Sequence, residues 1–151
     1  MPAPGAATPF RRILAAVDGS EHGLQAARAA GQLARALGGR LTLLTVYHAP
    51  SPALGEPNYS TALNEALADA RETIARARQA VVQTGGPEPE TEWLGGVAAE
   101  TIIPAARDGG YDLIVVGTRG RGRIEAALLG SVSSAVAARA GLPVLVVGDG
   151  A

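Results

Sequence analysis

Strand-like and helix-like segments alternate along the chain in the order βαβαβαβαβ, and this alternation restricts the fold more than any single motif. A strand, a helix and a second strand in succession pair in parallel through a right-handed crossover, so the order predicts an α/β doubly wound sheet. Arg12–Val17 is a short apolar run closed by Asp18-Gly19-Ser20, the pattern of a strand buried on both faces. Ser20 is placed as an N-cap, with Glu21 in the first helical turn. Leu24, Ala27, Ala30, Ala34 and Leu37 then recur at helical spacing until Gly38-Gly39. Arg40–Tyr47, rich in β-branched and apolar residues, reads as the second strand.

Pro50, Pro52, Gly55 and Pro57 mark 48–59 as a loop. Leu63, Leu67, Ala70, Ile74, Ala77 and Val81 form one apolar face of a long helix, stopped by Gly85-Gly86-Pro87. Glu88–Leu94 reads as a short charged edge strand carrying a half-buried Trp93. Val97–Arg107 is helical in pattern, and Pro104 predicts a kink or a late start. Asp112–Gly117 is a strand running straight into glycine. A basic, glycine-rich connection follows to Leu129, then a helix from Gly130-Ser131 to Arg139, ended by Gly141, and a last strand Leu142–Val147. At 151 residues the chain is expected to form one domain, over 10–148, behind a flexible arm at 1–9.

Composition removes much chemistry. There is no cysteine, which excludes disulfides, thiolate metal sites and cysteine nucleophiles. All thirteen basic residues are arginine, so there is neither a Walker A lysine nor a Schiff-base lysine. Two histidines cannot make a three-histidine metal site. The net charge of −1 gives no global attraction to nucleic acid or membrane. The N-terminus has no apolar signal region and no run approaches a membrane span, so a cytoplasmic protein is expected.

The segment from Gly117 to Ser131 carries the functional signal. In open α/β sheets ligands bind beyond the carboxyl ends of the strands, where the strand order reverses. Glycines there let backbone approach a ligand, and the unpaired N–H groups of a helix N-terminus attract anions. Ser131 adds a hydroxyl. The spacing fits neither a Rossmann fingerprint nor a P-loop. Gly117, Gly120 and Gly130-Ser131, with RRILAAVDGS, LTLLTVYHA, YDLIVVGTRGRG and LLGSVSSAVAARAGLPVLVV around them, resemble the universal stress protein family across about residues 10–148.

The resemblance implies a five-stranded parallel sheet of order 3-2-1-4-5 with helices on both faces, of the adenine nucleotide alpha hydrolase type. It implies ATP binding in members that keep the glycine motif, and homodimers. Asp18 and the backbone near Ala16 and Val46 would hold the adenosine end. Gly117, Gly120, Gly130, Ser131 and Ser133 would hold ribose and phosphates, with backbone from Val132, and Mg²⁺ would come with the phosphates. Some ATP-binding relatives carry proline where Ala16 stands and many carry histidine where Arg119 stands; an arginine there can also reach phosphate. The homodimer would form through Leu142–Val147, an apolar strand without blunting charge.

Plainer readings stay open. The glycines could make only a turn, Asp18 could be only a cap or turn residue, and Ser131 only an N-cap. Arg119, Arg121 and Arg123 lack interleaved aromatics, which disfavours nucleic acid. His48 reads as a loop residue, His22 as exposed, and Glu100, Asp108 and Asp112 form no carboxylate pair. Glu125 sits in the glycine loop without an assigned role. The favoured function is a dimeric, nucleotide-responsive regulator of the stress response. The alternatives are a slow ATP hydrolase, for which no residue stands out as the base, and a partner-binding module with a vestigial nucleotide loop.

Overall fold

Five parallel strands stand in the order β3-β2-β1-β4-β5. In the computed structural model, which describes residues 10–118 and 130–148, the elements are β1 (Arg12–Ala16), α1 (Glu21–Leu37), β2 (Arg40–Tyr47), a 3-10 turn (Pro52–Leu54), α2 (Asn58–Gln83), β3 (Glu90–Gly95), α3 (Ala98–Asp108), β4 (Leu113–Gly117), α4 (Ser131–Arg139) and β5 (Val144–Val147). The sheet and its helix-covered faces are those expected of an α/β doubly wound fold.

Alternation along the strands sorts the core into two layers. Ile13, Ala15, Leu41, Leu43, Leu113 and Val115 face α1 and α2. Leu14, Leu44, Ile114 and Val116 face α3 and α4. Strands covered on both sides must be apolar at every position, which is why β1 and β4 read as continuous apolar runs. The starts of β1 and β4 are tied by Asp112, whose carboxylate accepts from the Arg11 and Arg12 N–H groups at 2.9 and 3.0 Å. Ser20 caps α1 as expected, accepting from the Gly23 N–H at 3.0 Å. Gly38 closes α1 at φ 68°, a left-handed conformation that glycine adopts without a Cβ penalty.

Several expectations are corrected. The loop at 48–59 is interrupted by the 3-10 turn, and α2 begins at Asn58 inside it. Glu56 explains that early start: its carboxylate accepts from the Ser60 N–H at 2.9 Å and also takes the Ser60 hydroxyl. Pro104 does not delay α3, which starts at Ala98. The carbonyl it leaves without a helical donor belongs to Glu100, and both residues lie on the exposed side of the helix. Trp93 is 36% exposed rather than half-buried, because β3 is an edge strand; Arg71 of α2 lies over its ring, 5.8 Å from the centroid. His22 is half-buried, held against the end of β4.

Candidate functional site

β1 lies between β2 and β4, so the chain reverses its direction across the sheet there, and the carboxyl ends of β1 and β4 open a crevice. Asp18 follows β1. Its carboxylate oxygen accepts from the Ser20 N–H at 3.0 Å and from the Ser20 hydroxyl at 2.5 Å. Gly23 makes room for that carboxylate: a Cβ at Gly23 would come within 2.8 Å of the Asp18 oxygen. Asp18 is therefore both the turn residue of the plainer reading and a wall of a cavity.

The cavity has a volume of about 280 Å³, near the lower end of the ~300–1,000 Å³ typical of ligand sites. Thr45, Val46, Tyr47 and His48, at the end of β2, form its second wall. Ala66, Asp69, Ala70 and Thr73 of α2 form its third. These four stand at i, i+3, i+4 and i+7, one stripe of a helix. Of the residues expected at the adenosine end, Asp18 and Val46 line this cavity. Ala16 is half-buried at the end of β1, against the core layer under α3 and α4.

The residues expected to hold phosphates collect one strand further on. β4 ends at Gly117, and the Thr118 N–H donates to the Val147 carbonyl at 2.8 Å, locking β4 to β5. The Gly130 N–H donates to the Thr118 carbonyl. Gly130, with φ −66° and ψ 167°, is the N-cap of α4. Ser131 is thus the first helical residue and not the cap, because the extended residue that turns the chain into the helix is Gly130. The cap makes no side-chain hydrogen bond. The first intrahelical bond is from the Ser134 N–H to the Gly130 carbonyl, so the N–H groups of Ser131, Val132 and Ser133 precede the helical ladder.

Ser131 and Val132 are exposed at that end, and Ser133 is buried at 2%. The Ser133 hydroxyl lies 2.9 Å from the Thr118 carbonyl and 3.1 Å from the Gly130 carbonyl, to which it donates. It pins the helix start to the strand end. Arg119 and Gly120, with Arg121, Arg123 and Glu125, lie outside the described residues, as does the arm at 1–9.

Asp69, Thr73, Thr45 and Tyr47 were not singled out by sequence reasoning. The available signal was a polar stripe beside the apolar face of α2, at the end of the helix nearest the carboxyl end of β2. His48 is exposed at the cavity, beyond the end of β2. Among the described residues, no three histidine, aspartate or glutamate side chains cluster as a metal site, and no helix is long and apolar enough to cross a membrane.

Comparison with known proteins agrees with this fold. A universal stress protein of Thermus aquaticus is 41% identical over 138 residues, covering 91% of this chain and 98% of its own length. The solved universal stress protein UspA from Lactobacillus plantarum superposes with a TM-score of 0.82 at 30% identity, over 93% of this chain and 99% of that one. A universal stress protein solved in complex with cAMP superposes with a TM-score of 0.74 at 27% identity, over 91% of this chain and 97% of that one. The model of the universal stress protein family matches residues 9–148. With the family pattern running through nearly the whole length and the sheet in the matching order, the chain belongs to the universal stress protein family.

Proposed function

We propose that the protein binds an adenine nucleotide, ATP, across the carboxyl edge of the sheet and acts in the cytoplasm as a dimeric, nucleotide-responsive regulator. One observation carries the reading. A cavity bounded by Asp18 and Val46 and a helix N-terminus without a side-chain cap stand at the ends of the adjacent strands β1 and β4. The N–H groups of Ser131 and Val132 suit phosphate oxygens, and the positive end of the α4 dipole adds to their attraction. The Ser131 hydroxyl supplies one more donor. Asp18 and the Val46 backbone face the adenosine end, while Arg119 and Gly120 join the phosphate side on the strength of the sequence pattern. Mg²⁺ would come with the phosphates, as it commonly does. The neighbour solved with cAMP supports an adenine nucleotide as the ligand class.

The dimer is assigned to β5. This strand is the edge of the sheet next to β4, and Leu145 is 37% exposed on it. Its outer N–H and C=O groups can pair with a second copy, antiparallel across a two-fold axis.

The direct experiment is to denature the purified protein and separate the supernatant by ion-exchange chromatography. An adenine nucleotide approaching one per chain is expected. An empty supernatant, together with no uptake of added Mg·ATP by the refolded or nucleotide-stripped protein, would overturn the reading.

A further inference from the structure

Thr118 stands between the edge of the sheet and the start of α4, and its two backbone groups serve different sides. Its N–H donates to the Val147 carbonyl at 2.8 Å, one residue past the last β4–β5 pair, Gly117 with Val147. Its carbonyl accepts the Gly130 N–H, and the Ser133 hydroxyl lies 2.9 Å from the same oxygen. A Cβ on Gly148 would come within 3.3 Å of the Thr118 Cγ2, so the side chain also lies against the residue that follows β5. One residue thus holds the end of the edge strand with its donor and the start of the helix with its acceptor.

β5 is weakly held elsewhere. It has four residues, none of them buried, and it pairs on one side only, with β4. A short, solvated strand opens locally at lower cost than strands covered on both faces, such as β1 and β4. Opening at Val147 frees the Thr118 N–H, and the Thr118 peptide then no longer fixes the carbonyl that aligns Gly130 and Ser133. The cap of α4 has no side-chain hydrogen bond to replace that hold. The N–H groups of Ser131 and Val132 lose their alignment with it.

We infer that Thr118 couples the two places: an anion held at the start of α4 tightens β5 against the sheet, and a second copy paired to β5 tightens the anion site. A ligand shifts an equilibrium only by binding one state better than the other. Here the two states are the end of β5 paired or frayed, and only the paired state presents the α4 N–H groups together. Pairing of a second copy along the outer side of β5 opposes the same fraying. Linkage makes the effect reciprocal, so phosphate occupancy raises dimer affinity by the factor by which dimerisation raises phosphate affinity. This coupling rests on the nucleotide and dimer readings above and adds to them how the nucleotide site is read at the edge of the sheet.

Two measurements on nucleotide-free protein test it, each with and without saturating Mg·ATP: the dimer dissociation constant by sedimentation equilibrium, and hydrogen exchange of the Thr118 amide by NMR. The Gly39 amide, which donates to the Ala34 carbonyl at the opposite end of α1, is the control. ATP is expected to tighten the dimer by about five-fold or more and to slow Thr118 exchange by a similar factor, with Gly39 unchanged. Thr118→Pro removes the N–H that holds Val147, and Ser133→Ala removes the hydroxyl beside the Thr118 carbonyl. Circular dichroism checks the fold of both. The response of the dimer to ATP should vanish in Thr118→Pro and fall to about two-fold or less in Ser133→Ala.

ATP uptake in calorimetry with an unchanged dimer constant and unchanged Thr118 exchange would overturn the coupling and leave the nucleotide site standing. A full response in every variant that folds would overturn it too, as would a Gly39 amide slowed as much as that of Thr118. A wild type that binds ATP as a monomer would overturn the edge-strand dimer, and the Thr118 amide alone would then decide whether the start of α4 is tied to β5. A wild type that takes up no ATP would overturn the coupling and the nucleotide reading together.

Discussion

A Cβ added to Gly117 would come within 2.7 Å of the His22 carbonyl oxygen, so the last residue of β4 lies directly against the first turn of α1. The contact is backbone on backbone and neither side can swing away. Gly117 is not among the described glycines with positive φ, so its requirement here is close approach rather than an unusual backbone conformation. The first glycine of the motif is thus needed for packing whether or not a ligand is bound.

Gly117→Ala is therefore expected to lower stability by about 1–3 kcal/mol, the usual cost of overpacking a tight contact. Urea unfolding of nucleotide-free protein measures it. A loss of ATP binding with no loss of stability would show that the glycine serves the ligand alone.

Ser131 and Ser133 are expected to separate. Ser133→Ala removes a buried hydroxyl from two carbonyls, but the Thr118 carbonyl keeps the Gly130 N–H and the Gly130 carbonyl keeps the Ser134 N–H. The cost should stay near 1 kcal/mol, or about 2–4 °C in Tm. Ser131→Ala should leave Tm unchanged in the absence of ligand and weaken ATP by about ten-fold. Gly130→Val should nearly abolish ATP binding by placing a branched side chain beside the phosphates. Differential scanning fluorimetry and calorimetric titration together check all three.

ATP is expected to raise the melting temperature of verified nucleotide-free protein. At a hundred-fold excess over Kd, a ligand that binds only the native state adds about 2.7 kcal/mol. For a domain of this size that corresponds to about 5–10 °C. Adenosine should give less, and added salt should shrink the ATP shift by screening the phosphate contacts. No shift with millimolar Mg·ATP would favour the partner-binding module over the nucleotide regulator.

The order of strands and helices was legible because each apolar run ends at a turn signal and each helix shows a stripe. Gly38 and the Ser20 cap are local devices, visible in local sequence. The end of α2 nearest the cavity was not legible in the same way. Glu56 starts that helix by reaching forward four residues, inside a stretch whose prolines and glycine signal a loop. Asp69 and Thr73 become meaningful only when the fold sets their stripe against the end of β2. Trp93 depends on how much of the edge strand α2 covers, which periodicity does not encode. At the start of α4, the glycines were found readily, but that Ser133 is buried and Ser131 exposed depends on the Gly130 dihedrals, which make that glycine the cap.

Leu145→Lys is expected to convert a dimer to a monomer in size-exclusion chromatography with light scattering. Leu145 is exposed in the single chain, whereas Val146 packs against the core layer under α3 and α4, so only the former tests assembly without disturbing the interior. A monomeric wild type at micromolar concentration, or a dimeric variant, would contradict the edge-strand assignment.

The Arg78–Glu88 pair supplies a pH prediction away from the site. Two short bonds of 2.5 Å join the guanidinium to the carboxylate. The hydrogen bond from Arg78 holds the Glu88 carboxyl below its ordinary value, and the bond to Glu88 raises the Arg78 pKa. The unfolded chain then binds more protons in the carboxylate range, so the stabilisation is present above that range and lost as pH falls through the folded value. Both side chains are exposed, so the effect is small. Glu88→Gln should lower Tm slightly at neutral pH and low salt. The two melting curves should converge in acid and in about 1 M salt.

Arg107 of α3 donates through Nε to the Ala140 carbonyl at 2.7 Å and through a terminal nitrogen to the Arg139 carbonyl at 2.6 Å, at the far end of α4. α4 is a tethered strut: its front faces the crevice, and its back is fastened to a neighbouring helix by a single cationic side chain. It cannot slide along its axis without breaking that fastening or dragging α3 with it. The end of α4 away from the glycine is thus anchored to α3, so the position of one helix fixes that of the other.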